Sequence, residues 1–407
     1  MKIWFIHQYA VSPGTPGGTR HFSTARWLVR QGHEVRIVAA SFHYSLQEEP
    51  RTFSTEGRQR ETVDGVVFEW VQTHAYRGNS IGRILNLLSY AWQALRTRPA
   101  TGEAGPDVVL GSSPQPFAAL AGRLLAHRHR ARFVYEVRDL WPRTLLDLGR
   151  ASRWNPAVLG FGWIERHCLR HADQVVTLLA GSVEYLVSQG ANRDRVTWIP
   201  NGVDLGMAGA MRPAVPRQDC VFLYAGAIGM ANGLDALLEA AALLQERAPR
   251  IRVEIMGQGP ERPRLEGRAR ELGLTNVGFR APVPKLRVHD ALAEADAFVM
   301  ILTDSPVFRH GISPNKLFDY LAAGRPVLFA VNTPMNAVEE AGAGITADPS
   351  CPASLAAAME RIAALSPAER AQMGQRGRQY VEAHHDVERL AERFGRVLSE
   401  GATADHL

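Results

Sequence analysis

The stretch from His310 to Val327, HGISPNKLFDYLAAGRPV, decides how the whole chain is interpreted. Ser313 is a suitable helix N-cap, and Pro314 fits the first helical position because no backbone N–H is needed there. Gly324 suits the residue after the last helical turn, and the hydrophobic run behind it has the composition of a buried strand. The stretch therefore predicts a turn, a helix and then a strand.

The first turn of this predicted helix has the composition of an anion site. Asn315 and Lys316 would bring free backbone N–H groups, the positive end of the helix dipole and an ammonium to one point, which suits a phosphate. Asp319 lies one turn further on, within reach of a sugar hydroxyl. The chain has only three lysines, Lys2, Lys285 and Lys316, and arginine supplies nearly all other positive charge. An ordinary capped helix that leads into a sheet is the alternative interpretation.

The totals of the sequence limit the class of protein. A chain of 407 residues favours two or more domains. A net charge of +5 fits an anionic substrate or an anionic membrane surface, whereas a nucleic-acid binder would show denser basic clusters, so nucleic acid is not an expected partner. Three widely separated cysteines, Cys168, Cys220 and Cys351, indicate no disulfide framework or metal site. With no signal peptide or membrane-spanning run in the sequence, we expect a cytoplasmic protein whose membrane contact would be peripheral.

The N-terminal part predicts a βαβ unit. Residues Lys2–His7 and His33–Ala40 have the composition of buried strands, with a helical pattern between them. Gly17 and Gly18 at the strand-to-helix turn would let backbone N–H groups approach an anion closely. A turn that needs only glycine geometry is the alternative. The pattern is not G-x-G-x-x-G and no acidic residue closes the second strand, so a nicotinamide dinucleotide site is disfavoured.

A helix starting at Ile81 carries apolar residues at helical spacing and arginines at its edges. The apolar residues are Ile81, Ile84, Leu85, Leu88, Trp92 and Leu95, and the arginines are Arg77, Arg83, Arg96 and Arg98. Core packing with a solvated basic edge is the favoured interpretation, since any surface helix is amphipathic. A helix lying on an anionic bilayer is the alternative.

The run Phe133–Val137 predicts a buried strand that is followed at once by Arg138 and Asp139. Ligands of open α/β sheets bind at the carboxyl ends of the strands. An Arg–Asp pair beside Trp141 is therefore a candidate wall of the substrate cleft. A structural salt bridge at a helix start is the alternative.

The turn Pro200–Asp204 and the Pro-rich segment after it read as a linker, beyond which the α/β alternation begins again. The sequence thus predicts an N-terminal domain over residues 1–204, a C-terminal domain over 205–385 and a final helix, 386–407, that packs back on the N-terminal domain. Both domains are expected to be doubly wound, Rossmann-like α/β folds that face each other across a cleft. Glycine turns at Gly226 and Gly257–Gly259 would line that cleft and suit a diphosphate.

Taken together, these motifs resemble the family 4 glycosyltransferases, which are retaining enzymes with the GT-B fold. The resemblance is carried by the GG turn at 17–18, PNGVD at 200–204, MGQGP at 256–260, NVGFRAPVP at 276–284 and LFDYLAAGRPV at 317–327. RDLWP at 138–142 combined with SPNKLFDYLAAG at 313–324 is most similar to the subgroup that builds bacterial O-antigen and capsule repeats, which includes N-acetylfucosamine transferases.

The resemblance implies that a UDP-sugar lies against the C-terminal domain without a metal or other cofactor. Asp319 would hold the ribose hydroxyls, and Lys316 would neutralise the diphosphate leaving group, where charge develops in the transition state. The residues assigned to the nucleotide sugar are Gly17, Gly18, Gly226, Gly257, Gly259, Arg280, Ser313, Asn315, Lys316 and Asp319. The residues assigned to catalysis are Lys316, Arg138 and Asp139.

The chain departs from the family pattern at several of these positions. The family has two glutamates eight positions apart, which are replaced here by Gly311 and Asp319. An arginine and a lysine of the family are replaced by Ala227 and Asn232, and a histidine at the end of an N-domain strand by Arg138. Recognition of the sugar hydroxyls is therefore left unassigned.

The expected activity is retaining transfer of a sugar, such as an N-acetylated amino or deoxyamino sugar, from a UDP-sugar to a lipid-linked saccharide. Catalysis would rest on positioning and leaving-group stabilisation, with no protein nucleophile. One alternative is a UDP-sugar epimerase on the same scaffold, which would need an acid–base pair. The other is a non-catalytic partner that binds nucleotide sugars, a hypothesis prompted by Gly311, Ala227 and Asn232.

Overall fold

The computed structural model of the protein describes residues 1–15, 17–44, 48–53, 55–78, 81–113, 115–149, 151–212, 217–284 and 287–400. These form two compact units. Unit 1 contains Met1–Pro13, Gly17–Pro200 and the segment that begins at Val387; unit 2 contains Asn201–Asp386 and a short segment that begins at Gly14. The sequence predicts domain boundaries after residues 204 and 385, whereas the two units change after Pro200 and Asp386.

The centre of unit 1 is an eight-stranded sheet with the order β3-β4-β2-β1-β5-β6-β7-β8. Its strands are β1 (Lys2–Ile6), β2 (Glu34–Ala40), β3 (Arg58–Val63), β4 (Val66–Val71), β5 (Val108–Ser112), β6 (Arg132–Val137), β7 (Gln174–Thr177) and β8 (Val196–Trp198). All neighbours are parallel except β3 and β4, which form an antiparallel pair across the turn at Asp64–Gly65. Parallel strands need covered faces, which explains their continuous apolar runs.

The helices of unit 1 cover both faces of this sheet. They are α1 (Arg20–Arg30), α2 (Ile81–Leu95), α3 (Pro116–His129), α4 (Arg143–Asp147), α5 (Pro156–His171), α6 (Val183–Ser188) and α15 (Val387–Ser399). The C-terminal helix α15 packs beside α1, and its Phe394 lies edge-to-face on Phe5 of β1 at 6.1 Å between ring centroids. Arg132 fastens the end of α15 by donating from Nη1 to the Leu398 carbonyl at 2.6 Å.

Unit 2 is built on a six-stranded, fully parallel sheet with the order β11-β10-β9-β12-β13-β14. Its strands are β9 (Cys220–Ala225), β10 (Ile251–Met256), β11 (Val277–Arg280), β12 (Ala297–Ile301), β13 (Val327–Ala330) and β14 (Gly344–Thr346). Its helices are α7 (Leu205–Ala208), α8 (Leu234–Arg247), α9 (Arg262–Glu271), α10 (Val288–Leu292), α11 (Asn315–Ala323), α12 (Ala337–Glu340), α13 (Pro352–Ala364) and α14 (Pro367–His384).

Each unit therefore has the doubly wound, Rossmann-like fold that the alternation of strands and helices predicts, and this part of the prediction is confirmed. In both units the strand order reverses beside the first strand, with β1 lying between β2 and β5 and β9 between β10 and β12. Such a reversal opens a crevice at the carboxyl ends of the strands, where open α/β sheets bind their ligands.

Helix α2 differs from its favoured interpretation. Its buried residues are Asn86, Tyr90 and Ala94, whereas five of its large apolar side chains are exposed, namely Ile81, Ile84, Leu85, Leu88 and Trp92. The prediction that the apolar side of this helix packs in the core is wrong.

Candidate active site

In unit 2, the candidate site lies where β9 and β10 end. Gly226 follows β9 and Gly257 follows β10, so the two turns lie side by side. A Cβ on Gly257 would lie 1.8 Å from the Gly226 carbonyl oxygen, and one on Gly259 would lie 2.2 Å from the Ile228 carbonyl oxygen. These glycines are required because the two turns approach each other closely.

The predicted use of these turns as phosphate donors needs correction at two positions. The Gly226 N–H donates to the Met256 carbonyl at 3.0 Å, and the Gly257 N–H donates to the Arg280 carbonyl at 3.2 Å. Both groups are already paired within the backbone, so neither is a spare donor for a phosphate. The glycines shape the site by letting the turns pack.

The side chain of Lys316 lies against these turns. Its Nζ donates to the Tyr224 hydroxyl and to Asn232 Oδ1, each at 2.9 Å, and lies 4.2 Å from the centre of the Tyr224 ring. The Lys316 side chain also passes over Gly226, where a Cβ would come within 3.2 Å of its Cδ. Three separate contacts therefore hold the ammonium at the carboxyl end of β9.

In the part of the chain that the structure describes, no carboxylate pairs with the Lys316 ammonium. Burial lowers the pKa of Lys316 from 10.5 to about 7. Both of its hydrogen-bond acceptors, Tyr224 and Asn232, are neutral groups that do not offset the cost of removing the charge from water. An anion that arrived at this point would stabilise the protonated form and raise the pKa again.

The start of α11 is arranged differently from the prediction. The helix begins at Asn315, and Pro314 occupies the N-cap position with an extended backbone. The Ser313 hydroxyl does not cap the helix, because its Oγ accepts the Asn201 N–H at 2.8 Å and the Asn201 side chain donates to the Ser313 carbonyl. The predicted linker turn is in this way bound to the helix start, next to Asn315 and Lys316.

Two other predicted nucleotide-binding residues already have partners in unit 2. Asp319 is 7% exposed, and its Oδ1 lies 3.5 Å from Nε2 of His289. The guanidinium of Arg280 contacts Glu294 at 2.9 Å. Their roles towards ribose and base stay predictions, and any ligand would have to share these contacts.

Unit 1 holds a second polar cluster at the carboxyl ends of β1, β5 and β6. Glu136 is buried there and accepts from His21 Nε2 at 2.6 Å, from Arg20 Nε at 3.0 Å and from Ser112 Oγ at 2.6 Å. Burial alone would raise the pKa of Glu136, but His21 and Arg20 outweigh it and hold that pKa well below its usual range. The carboxylate therefore stays ionised and anchors the cluster.

Arg138 completes this cluster. Its Nη1 lies 3.2 Å from His7 Nε2 and 3.5 Å from His21 Nδ1, and the two imidazoles are stacked with their centroids 4.0 Å apart. Burial, followed by the charges of His21 and Arg138, lowers the pKa of His7 well below its usual value, so the ring is neutral and accepts from Arg138. Asp139 itself is exposed at the strand end. The Arg138 guanidinium thus contacts two histidines, His7 and His21, that the sequence analysis did not single out.

The glycine pair at the entry to α1 adopts the geometry expected of a strand-to-helix turn. Gly17 has a φ of +143°, and a Cβ on it would lie 3.1 Å from a Val11 methyl group. Thr19 occupies the N-cap position of α1 without a side-chain hydrogen bond to the helix. The predicted contact of Gly17 and Gly18 with a diphosphate stays a prediction.

Sequence reasoning missed Tyr224, His289, His7, His21 and Glu136. Four of them could have been found by one signal, a polar or aromatic side chain at or near the carboxyl end of a parallel strand or at the start of the following helix. Among the described residues, no group of three or more His, Cys, Asp or Glu side chains could hold a metal ion. No helix in the described part of the chain is long and apolar enough to cross a membrane.

Comparison with known proteins places this architecture in a class. Residues 17–202 match a glycosyl transferase 4-like domain, and residues 219–364 match the glycosyl transferases group 1. Sucrose-phosphate synthase from Thermosynechococcus elongatus has the same fold, with a TM-score of 0.77, 18% identity and 98% of each chain covered. Anabaena Alr3699/HepE, solved in complex with UDP and glucose, has a TM-score of 0.68 and 16% identity over 98% of this chain and 100% of its own. The fold is that of the GT-B transferases.

Sequence relatives extend the assignment. The putative colanic acid biosynthesis glycosyl transferase WcaI of Escherichia coli K12 is 28% identical over 342 residues, which cover 80% of this chain and 82% of the relative. A D-inositol 3-phosphate glycosyltransferase of Thermomonospora curvata is 30% identical over 51% of this chain and 52% of its own. With both domain matches in place, the chain belongs to the GT-B glycosyltransferases and is a transferase enzyme.

Proposed function

We propose that the protein is a retaining, family 4 glycosyltransferase that moves a sugar from a UDP-sugar to a lipid-linked saccharide during cell-surface polysaccharide synthesis. The transfer would take place at the cytoplasmic face of the membrane. UDP as the carrier is supported by the ligand of Alr3699/HepE, and polysaccharide synthesis by the similarity to WcaI, a putative colanic acid biosynthesis glycosyl transferase. The O-antigen and capsule subgroup is supported by the motifs RDLWP and SPNKLFDYLAAG.

The observation that carries the proposal is the environment of Lys316. An ammonium held by Tyr224 and Asn232, with a pKa lowered to about 7, gains most from a ligand that brings negative charge. The β-phosphate of a departing UDP gains charge as the glycosidic bond breaks, so Lys316 would stabilise the transition state more than the ground state. The start of α11 would add its dipole at the same point.

Asn232 supports this role through its position. The lysine that the family has at this position would place a second cation against Lys316. The amide instead accepts a hydrogen bond from Nζ and fixes its direction. A single, well-oriented ammonium then replaces a pair of cations, and the Lys316 substitution should cost correspondingly more.

In unit 1 we assign the acceptor side of the reaction to Arg138 and Asp139. Arg138 presents a guanidinium braced by His7, and Asp139 is exposed beside it at the end of β6. Among the described residues, His7 Nδ1 is a buried nitrogen without a hydrogen-bond partner, an arrangement that costs stability unless another group pairs with it.

The direct test is transfer of radiolabelled sugar from a panel of UDP-sugars to lipid-linked saccharides extracted from membranes. We expect one UDP-sugar to support transfer with retention of the anomeric configuration, and Lys316→Ala to slow that transfer about a hundred- to a thousandfold. Transfer that proceeds equally well with Lys316→Ala, or an epimerised UDP-sugar formed without any acceptor, would contradict the proposal.

A further inference from the structure

Helix α2 presents its apolar side outwards. Five of its large apolar side chains are exposed, with exposed fractions that run from 45% at Leu88 to 77% at Ile81, and Trp92 is 64% exposed. Together with Ile84 and Leu85, these residues recur at intervals of three and four, so they form one stripe along the helix. Such a stripe on a protein surface marks an interaction site.

The opposite side of α2 is fixed to the sheet by hydrogen bonds. Asn86 Oδ1 accepts from Gln8 Nε2 at 2.6 Å, and its Nδ2 donates to Thr73 Oγ1 at 3.0 Å. The buried Tyr90 hydroxyl donates to the Val38 carbonyl at 2.7 Å. Rotating the helix to bury its apolar stripe would break all three bonds and leave buried polar groups unpaired. The outward stripe is therefore a stable feature of this unit.

The apolar surface continues onto neighbouring helices of the same unit. Gln115, the N-cap of α3, donates to the Leu87 carbonyl of α2 at 3.0 Å, and Phe117 of α3 packs on Phe161 of α5 at 5.7 Å. These helices expose further large apolar side chains, namely Leu124 on α3, Leu159 and Trp163 on α5, and Trp154 just before α5. We call the exposed side of α2, α3 and α5 the three-helix surface.

The charge of the three-helix surface has one sign. Residues 74–102 and 108–135, which contain α2 and α3, include no aspartate or glutamate. Between residues 148 and 172 the single acidic residue is Glu165, which is 2% exposed and accepts from the Tyr185 hydroxyl at 2.9 Å. Exposed arginines on or beside these helices are Arg77, Arg96, Arg98, Arg128, Arg130, Arg153 and Arg170.

We propose that the three-helix surface docks the enzyme on an anionic lipid bilayer. Apolar side chains including tryptophans would enter the headgroup region, while the arginines around them would pair with lipid phosphates. Tryptophan favours this interface because its ring is largely apolar and its N–H is polar. A second copy of the chain is a poor occupant, since two arginine-rich, acid-free surfaces would repel each other.

Docking on a bilayer would bring the enzyme to the membrane that carries the proposed lipid-linked acceptor. Gln8, which holds Asn86 of α2, directly follows His7, the histidine that braces Arg138. Helix α2 is thus linked to the acceptor-side cluster through the adjacent residues Gln8 and His7. The biological purpose of bilayer docking rests on the proposed function, but docking itself does not. Vesicle binding needs neither donor nor acceptor, so it can be measured separately from transfer.

The experiment is sedimentation of the full chain with vesicles of phosphatidylcholine alone and with vesicles in which about one third of the lipid is phosphatidylglycerol. Two variants test the surface, the apolar Leu85→Gln/Leu88→Gln/Trp92→Gln and the basic Arg96→Glu/Arg98→Glu. Matched controls in unit 2 are Leu243→Gln, an exposed leucine on α8, and Arg250→Glu, an exposed arginine before β10.

We expect binding to the anionic vesicles that weakens with added salt. The apolar variant should lower the partition coefficient at least about tenfold and the basic variant about fivefold or more per arginine replaced, with the controls unchanged. Thermal unfolding should stay the same in all variants, since every substituted side chain is exposed. Three results would overturn the proposal: no binding to anionic vesicles, equal loss in the controls, or a dimer in analytical ultracentrifugation that the apolar variant dissociates.

Discussion

The two polar clusters at the strand ends balance their charges in opposite ways. In unit 1, the buried carboxylate of Glu136 pairs with Arg20 and accepts a hydrogen bond from His21, so its negative charge has partners within the protein. In unit 2, the hydrogen-bond acceptors of Lys316 among the described residues are the neutral groups of Tyr224 and Asn232, and burial lowers its pKa to about 7. The difference indicates that the charge of Glu136 is balanced within unit 1, whereas the charge of Lys316 is balanced by an anionic ligand.

The largest effect should come from Lys316→Ala. We expect the rate of transfer to fall about a hundred- to a thousandfold, because a positioned positive charge on the leaving group is lost. The melting temperature should not fall, since removing a poorly solvated ammonium relieves its desolvation cost. Radiolabelled transfer and calorimetric unfolding measure the two outcomes.

Lys2→Ala is the matched control for this variant. Lys2 Nζ lies 3.4 Å from Glu34 at the surface of unit 1, and exposed ion pairs contribute little. Transfer by Lys2→Ala should equal that of the unaltered enzyme. Equal losses in both variants, or a marked fall in melting temperature for Lys316→Ala alone, would assign Lys316 a structural role.

The second effect concerns stability in unit 1. Replacing Glu136 by glutamine leaves the buried Arg20 without its counter-charge, and we expect the free energy of unfolding to drop by about 3–5 kcal/mol. Glu184→Gln, at an exposed pair with Arg193, is the control and should leave stability nearly unchanged. Urea titrations compare the two; similar values for both would mean that the unit 1 cluster is not balanced by Glu136.

The sequence was a good guide to the fold and to the sites that depend on local order. The alternation of strands and helices predicted both sheets, and the helix start at Lys316 could be recognised because N-cap, dipole and lysine are neighbours in the chain. Ser313 was misassigned as the N-cap because the backbone N–H of Asn201, 112 residues earlier in the chain, donates a hydrogen bond to its hydroxyl. The orientation of α2 was also mispredicted, since the buried bonds of Asn86 and Tyr90 outweigh the apolar stripe, and such long-range partners leave no periodic signal.

The partners of Lys316 could not be predicted for the same reason. Tyr224 and Asn232 precede Lys316 by 92 and 84 residues, and the parallel sheet brings them to it. Arg138 was recognised from its place after β6, but its contact with His7 depends on β1 and β6 flanking β5 in the sheet. The order of strands in a sheet depends on the whole unit, so a local stretch of sequence does not predict this contact.

A smaller effect should follow from Arg138→Ala. If Arg138 acts on the acceptor side, the rate of transfer should fall roughly ten- to a hundredfold while UDP affinity stays the same. Arg138→Lys keeps the charge but not the planar fork, so it should restore only part of the rate. Steady-state kinetics with varied acceptor, together with UDP titration calorimetry, separate the two quantities. A loss of UDP affinity as large as the loss of rate would move Arg138 to the donor side.

The central claim, that a ligand completes the charge of Lys316, is tested most directly by the protons taken up when UDP binds. At about pH 8 the free enzyme should hold Lys316 mostly deprotonated, and the bound diphosphate should raise its pKa, so affinity falls as pH rises above about 7. Calorimetry in buffers of different ionisation enthalpy should show uptake of close to one proton per UDP, and uptake near zero with Lys316→Ala. Binding of UDP without proton uptake, or with the same uptake in Lys316→Ala, would contradict the account.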